Sequence, residues 1–180
     1  MTGITAAAGV LLAALLIGGA QIPSRAAERG PLLEPMADLA RAPGLTLERA
    51  GGGTLALTAL RGKVVVINFW ATWCGPCRRE MPSLERLHAT LKDPALVIVG
   101  IDAGETAEKI AEFSHQADTP PTYALALDLH GDALKAFGVR GLPTTYVLDK
   151  QGRIAYRALG PRPFDDPAIV ATLRNLIAAR

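Results

Sequence analysis

Cysteine and histidine are both scarce in this 180-residue chain, with two of the first and three of the second. Two cysteines cannot build a disulfide-stapled scaffold, and three scattered histidines leave a four-ligand zinc site without enough partners. An excess of one charge is missing as well. The formal charge is +2, and residues 1–26 hold one arginine and no acid, so the remainder sets 18 basic against 17 acidic side chains. No basic surplus remains for phosphate contacts, which argues against nucleic acid as a partner. Internal repeats and low-complexity tracts are absent, and nothing marks a second domain. What is there is ordinary for a globular protein: 49% hydrophobic and 20% charged residues in a length that suits one domain plus an extension.

The extension is at the start. Ile4 to Ile22 carries no charge and is mostly Ala, Leu, Ile and Gly. Such a run is either the core of a signal peptide or a single membrane anchor, and both imply export across a membrane. Gly18 and Ala20 suit cleavage before Gln21, and Ser24 with Ala26 offers a second site, whereas Arg25 and Arg29 follow the run as they would follow an anchor. Residues 1–26 are therefore assigned to an export signal or anchor. Residues 27–44, with Pro31, Pro35 and Pro43, read as a proline-rich linker with a helical turn near Met36 to Arg41. Residues 45–180 form the folded domain.

Within it, Leu45, Leu47, Leu55 and Leu57 flank Gly51 to Gly53 in the manner of a β-hairpin, an N-terminal extension to the main sheet. Val64 to Trp70 is a near-continuous apolar run, the pattern of a strand buried on both faces. Met81, Leu84, Leu87 and Leu91 are spaced for a helix from Cys74 to Leu91. Leu96 to Ile101, Tyr123 to Leu127, Thr144 to Leu148 and Ile154 to Leu159 follow as strands, the last two joined by a turn at Asp149 to Gly152. Helices are expected at Thr106 to Gln116, Asp132 to Phe137 and Asp165 to Ala179. This order gives an α/β fold with a central mixed sheet flanked by helices.

Both cysteines lie where the buried strand meets the first helix, in Trp73-Cys74-Gly75-Pro76-Cys77. Their spacing permits a disulfide within one helical turn. Cys74 stands at the positive end of the helix dipole, where free N–H groups favour a thiolate. Pro76 is tolerated in the first turn, where its missing N–H has no partner to lose. Cys74 is thus the attacking, more exposed thiol and Cys77 the buried, resolving one. A zinc half-site or a structural staple are the bland alternatives. The first lacks its other ligands, and the second closes too small a loop to constrain the unfolded chain much.

Asn68-Phe69-Trp70-Ala71-Thr72-Trp73-Cys74-Gly75-Pro76-Cys77 resembles the active-site stretch of the thioredoxin superfamily, and Gly141-Leu142-Pro143-Thr144-Thr145 resembles its second signature. Leu57-Thr58-Ala59-Leu60-Arg61-Gly62-Lys63 narrows the resemblance to exported TlpA/ResA-type thiol–disulfide oxidoreductases. It implies a thioredoxin-like fold, a redox-active Cys74–Cys77 pair, and a cis bond before Pro143. It also implies substrate contacts at Leu142 and Trp73, and a glutamate under the active site at Glu80. Spacing of three puts Glu80 on the same helical side as Cys77, where it can take that thiol's proton directly or through water. Asn68 occupies the position of thioredoxin's buried acid and cannot titrate. No cofactor or metal is implied. Client proteins with cysteine pairs, in cytochrome c or copper-site maturation, are the implied partners of a periplasmic or extracytoplasmic monomer. A membrane electron donor of the DsbD/CcdA type would reduce it again.

Rival chemistries fit less well. A disulfide oxidase or isomerase has the same fold but usually a histidine where Pro76 stands. A peroxidase of the peroxiredoxin class has its threonine three residues before the cysteine, whereas Thr72 lies two before Cys74. A copper-binding assembly factor spaces its cysteines one residue wider and adds a C-terminal histidine, and this chain has none beyond His130. The cytochrome-dedicated branch usually carries Ala-Pro-Glu where Leu142-Pro143-Thr144 stands here.

Overall fold

A computed structural model describes residues 31–179. The export segment 1–26 and the start of the linker, 27–30, lie outside the described residues. Among those described, no helix is long and apolar enough to cross a membrane.

Among the described residues, eight strands form one sheet: β1 (Glu34–Pro35), β2 (Thr46–Arg49), β3 (Thr54–Ala56), β4 (Val64–Trp70), β5 (Leu96–Asp102), β6 (Ala124–Leu127), β7 (Thr144–Leu148) and β8 (Ile154–Leu159). Their order is β1-β8-β7-β4-β5-β6-β2-β3. The helices are α1 (Gly75–Thr90), α2 (Ala107–Gln116), α3 (Asp132–Ala136) and α4 (Pro167–Ala178), with a 3-10 turn at Leu57–Leu60. β4 is parallel to β5 and antiparallel to β7, so the sheet is mixed. The parallel pair needs a crossover, and α1 supplies it.

β4 is buried along its whole length, which its β-branched composition anticipates. Its side chains alternate between two covered faces. Val64 and Val66 pack with Leu84 and Leu87 of α1 and with Ile169 and Leu173 of α4. Val65, Ile67 and Phe69 pack on the opposite face with Leu57 of the 3-10 turn, Ala133 of α3 and Phe137. Asn68 follows Val66 in this alternation, so the strand itself aims a polar side chain at the underside of α1.

The glycines near residue 50 close the β2–β3 turn, where Gly52 and Gly53 take φ of 89° and 78°, a left-handed conformation that favours glycine. Gly100 in β5 serves a different purpose. A Cβ there would sit 3.0 Å from Trp70 Nε1 and 2.9 Å from Leu125 Cδ2. Gly100→Ala should therefore overpack the core beneath the cysteines, at a cost of about 1–3 kcal/mol. Chemical denaturation checks this, and an unchanged midpoint would mean that the Trp70 ring is free to move.

The proline-rich stretch departs from expectation. From Pro31 onward it is not a free tether, and there is no helical turn at Met36 to Arg41. It runs instead along the edge of β8: Met36 N donates to Ala155 O at 2.9 Å, Ala42 N donates to Gly152 O at 3.0 Å, and Ala40 O accepts from Ile154 N at 2.8 Å. Leu33 is buried in the α1–α4 core and draws the segment onto the sheet. At an edge the missing N–H of Pro35 costs no ladder bond, so proline is compatible with strand there.

Candidate active site

β4 ends at Trp70, and the chain turns through Ala71 to Trp73 into α1. The turn is closed by Cys74 N, which donates to Ala71 O at 3.1 Å. Cys74 caps α1: its backbone is extended, and its Sγ accepts from Cys77 N at 3.3 Å. Pro76 sits in the first turn of the helix. The two sulfurs are joined in a disulfide, with a Cα–Cα separation of 5.3 Å.

Cys77 is fully buried, and Cys74 is only 5% exposed, less than the exposed thiol read from the sequence. The reason is local packing: Cys74 and Cys77 share an apolar cluster with Trp70, Met81 and Ile110, and Leu142 packs against that cluster. Trp73, by contrast, is 68% exposed and stands out beside the disulfide. The Leu142–Pro143 bond is cis. Next to it, a groove of about 740 Å³ is lined in part by Val139, Leu142, Pro143, Tyr146 and Leu159.

Glu80 lies one turn beyond Cys77 and is 3% exposed, so it is not a solvated helix residue. Asn68 Nδ2 donates to its Oε1 at 2.8 Å, and Arg162 N donates to its Oε2 at 3.0 Å. Asn68 Nδ2 also donates to Thr145 Oγ1 at 3.0 Å. The segment carrying Arg162 is held on α1 by Ser83, whose Oγ accepts from Phe164 N at 2.9 Å and donates to Glu80 O at 2.7 Å. Burial pushes the Glu80 carboxyl up to about 7, against the opposing pull of the Arg162 and Asn68 hydrogen bonds. A carboxyl that titrates near neutrality, one turn from a buried thiol, is suited to proton exchange.

Comparison with known proteins places this geometry. The model of the AhpC/TSA family matches residues 39–157, a stretch that includes the cysteine pair, Glu80 and Pro143. The chain is 34% identical over 119 residues to the thiol-disulfide oxidoreductase ResA of Bacillus thuringiensis subsp. konkukian (strain 97-27), covering 66% of this chain and 68% of that one. The chain belongs to the AhpC/TSA family. It is a thiol–disulfide oxidoreductase with a thioredoxin-like fold. ResA of Bacillus subtilis (strain 168) is 32% identical over 121 residues, covering 67% of this chain and 66% of that one. Among solved structures, a thiol:disulfide interchange protein of the thioredoxin family from Chlorobium tepidum TLS superposes with a TM-score of 0.64 at 26% identity, covering 74% of this chain and 95% of that one. Another Chlorobium tepidum protein, provisionally assigned as the interchange protein DsbE, gives 0.70 at 28% identity, covering 77% of this chain and 96% of that one.

For this oxidoreductase, the structure brings Cys74, Cys77 and Leu142 into one cluster, with Pro143 following Leu142. Glu80 lies behind them, bonded to Asn68 and Arg162 rather than to either sulfur. Several polar residues near the site were not singled out from the sequence. Arg162 acts through its peptide N–H, which leaves no trace in residue type. Thr72, Asp102 and Glu105 form a second polar cluster at the C-terminal ends of β4 and β5, where Glu105 accepts from Thr72 N and Thr72 Oγ1, each at 2.6 Å. A sequence signal for it existed: an acid ending a buried strand is costly unless paired. Among the described residues, no group of three or more His, Cys, Asp or Glu side chains is arranged to hold a metal ion.

Proposed function

We infer that the protein is an extracytoplasmic disulfide reductase, exported or anchored through residues 1–26 and acting on client proteins with cysteine pairs. The observation that carries the exchange chemistry is the position of the disulfide at the start of α1, where the Cys77 N–H points at Cys74 Sγ; the reductive direction is read from the Gly75-Pro76 pair between the cysteines. That N–H and the helix dipole favour negative charge on Cys74 once the bond is reduced.

In the reduced protein, the Cys74 thiolate attacks one sulfur of a client disulfide. A Cys74–client bond forms, the client bond breaks, and the client's second sulfur leaves as a thiolate that takes a proton from solvent. Cys77 then gives its proton to ionised Glu80, directly or through water, and attacks Cys74 Sγ. The mixed disulfide breaks, the client's sulfur leaves Cys74 as a thiolate and takes up the proton that Glu80 or solvent gives back, and the client departs as a dithiol while the Cys74–Cys77 disulfide remains. Two electrons have passed from the protein to the client. A membrane electron donor of the DsbD/CcdA type returns them. Trp73 and Leu142 flank the sulfurs as client contacts, and the groove beside Pro143 has room for an extended client segment. Clients in cytochrome c or copper-site maturation suit this chemistry.

The direction is tested by a redox-buffer titration. The Gly-Pro pair between the cysteines resembles reducing members, so the potential should lie nearer thioredoxin's about −270 mV than DsbA's about −120 mV. A value above about −180 mV, the level of protein disulfide isomerase, would make the protein an oxidase or isomerase.

A further inference from the structure

β4 and β5 end side by side, with Trp70 and Asp102 in register, and their outgoing loops are joined by Ala103 N donating to Trp70 O at 2.9 Å. Asp102 is fully buried. Its Oδ1 accepts from Glu105 N at 2.7 Å, and its Oδ2 has no hydrogen-bond partner among the described residues. Glu105 in turn takes both donors of Thr72, the backbone N–H and the hydroxyl. Thr72 immediately precedes Trp73 and Cys74, so this grip sets the turn that leads into the disulfide. We propose that Asp102 is a positioning residue for the thiol chemistry: a proton held between its carboxyl and that of Glu105 keeps Glu105 closed on Thr72 and so fixes the Trp73–Cys74 turn.

The argument is one of hydrogen-bond balance. An ionised Asp102 would leave a buried carboxylate oxygen unpaired, at a substantial desolvation cost. As a carboxylic acid, Asp102 carries its own donor, and the Glu105 carboxylate has lone pairs left after accepting from Thr72. The charges around Asp102 favour that state. Glu105 faces it from its own loop. Asp128 faces it from the β6–α3 loop, where Asp128 N donates to Asp102 O at 3.0 Å while its carboxylate accepts from Ala133 N and Leu134 N. Lys109, on α2, acts on Glu105 rather than on Asp102 and is itself paired with Glu112. From β4 and its outgoing loop come only Trp70 and Thr72, neither charged. Burial first, and the neighbouring Glu105 and Asp128 carboxylates after it, raise the Asp102 pKa far above the usual carboxylate range. Loss of the proton to solvent leaves two adjacent carboxylates that repel each other, and the grip on Thr72 loosens.

The inference rests on the redox reading only for its consequence at Cys74, so the main test uses the oxidised full chain and needs no client. Hydrogen exchange of the Thr72 amide, corrected for intrinsic pH dependence, is followed from pH 5 to pH 9. One pKa unit of coupling corresponds to about tenfold, so protection in the wild type should fall by about tenfold as Asp102 ionises. Asp102→Asn, which cannot lose a proton, should abolish that fall. Glu105→Gln, at a half-buried position, removes the opposing charge and should flatten the profile too, which keeps the test decisive if the Asp102 variant does not fold. Thr72→Ser retains both donors and should keep the wild-type profile. A flat wild-type profile, or an unaltered fall in both acid variants, would overturn the proposal. In the reduced protein, the rate of Cys74 with a cystine peptide, divided by its thiolate fraction, should lose its pH dependence in the same two variants.

Discussion

Cys77→Ser should stop turnover and leave the protein covalently joined to its client. Cys77 is the sulfur with no exposure, held in the first turn of α1 behind Cys74. Once Cys74 has attacked a client, only a neighbouring thiolate resolves the mixed disulfide quickly. A serine hydroxyl at that position is not ionised at neutral pH and does not do so. Turnover should fall by on the order of 10³-fold or more, because the two sulfurs act as one unit. The fold should survive. Closing so short a loop contributes about 2 kcal/mol in the chain-entropy account, and the α1–β4 core that holds the helix is untouched. Cys74→Ser should also be inactive but should form no adduct, which assigns the attacking role. Non-reducing electrophoresis with a cysteine-pair client reads both results. An adduct formed by Cys74→Ser and not by Cys77→Ser would reverse the roles, and near-normal turnover of Cys77→Ser would remove the dithiol cycle altogether.

What the sequence disclosed and what it hid follow a physical division. The cysteine pair, the strand before it and the helix after it are local features, written in residues 64–91 by β-branched run, spacing and helix-compatible proline. Leu142-Pro143 was legible only through resemblance, because nothing local ties that dipeptide to residues some seventy positions earlier. The edge strand at Glu34–Pro35 was hidden because the prolines in and around it carry the signature of a linker, while the residue that docks it is a single buried leucine, Leu33. The polar clusters were hidden for another reason. Asn68 reads only as a residue that cannot titrate where thioredoxin has its buried acid, until the sheet alternation puts it under α1, 2.8 Å from Glu80. Thr72, Asp102 and Glu105 come together only because β4 and β5 are parallel neighbours ending at the same level. In each case the chemistry depends on a pairing across elements that composition and spacing do not contain.

The Asn68–Glu80 contact ties the site's proton handling to stability in a definite direction. The Glu80 carboxyl is pushed from 4.5 up to about 7, with burial as the largest cause. Between those values the folded protein holds a proton on Glu80 that the unfolded chain has released. Stability from this group is therefore present at low pH and is lost as pH rises through that window. The loss is on the order of 3 kcal/mol by pH 8, taking one pKa unit as about 1.4 kcal/mol. Asp102 contributes in the same sense, so the wild type carries both slopes and Glu80→Gln should lose only its own share. Denaturant titrations of the two proteins from pH 4 to pH 9 isolate that share as a difference. In the reduced protein, the same substitution removes the acceptor of the Cys77 proton. Release of the client should slow by about 10²-fold, and its pH–rate inflexion near neutrality should vanish, as expected for loss of a general base. Asn68→Ala then acts on chemistry as well as on stability: it removes a hydrogen bond that favours the ionised carboxylate, so the Glu80 inflexion should move to higher pH. The expected pH-dependent stability difference with an unchanged pH–rate profile would restrict Glu80 to the fold. An unchanged profile in both respects would remove Glu80 from proton handling and from the pH dependence of stability alike.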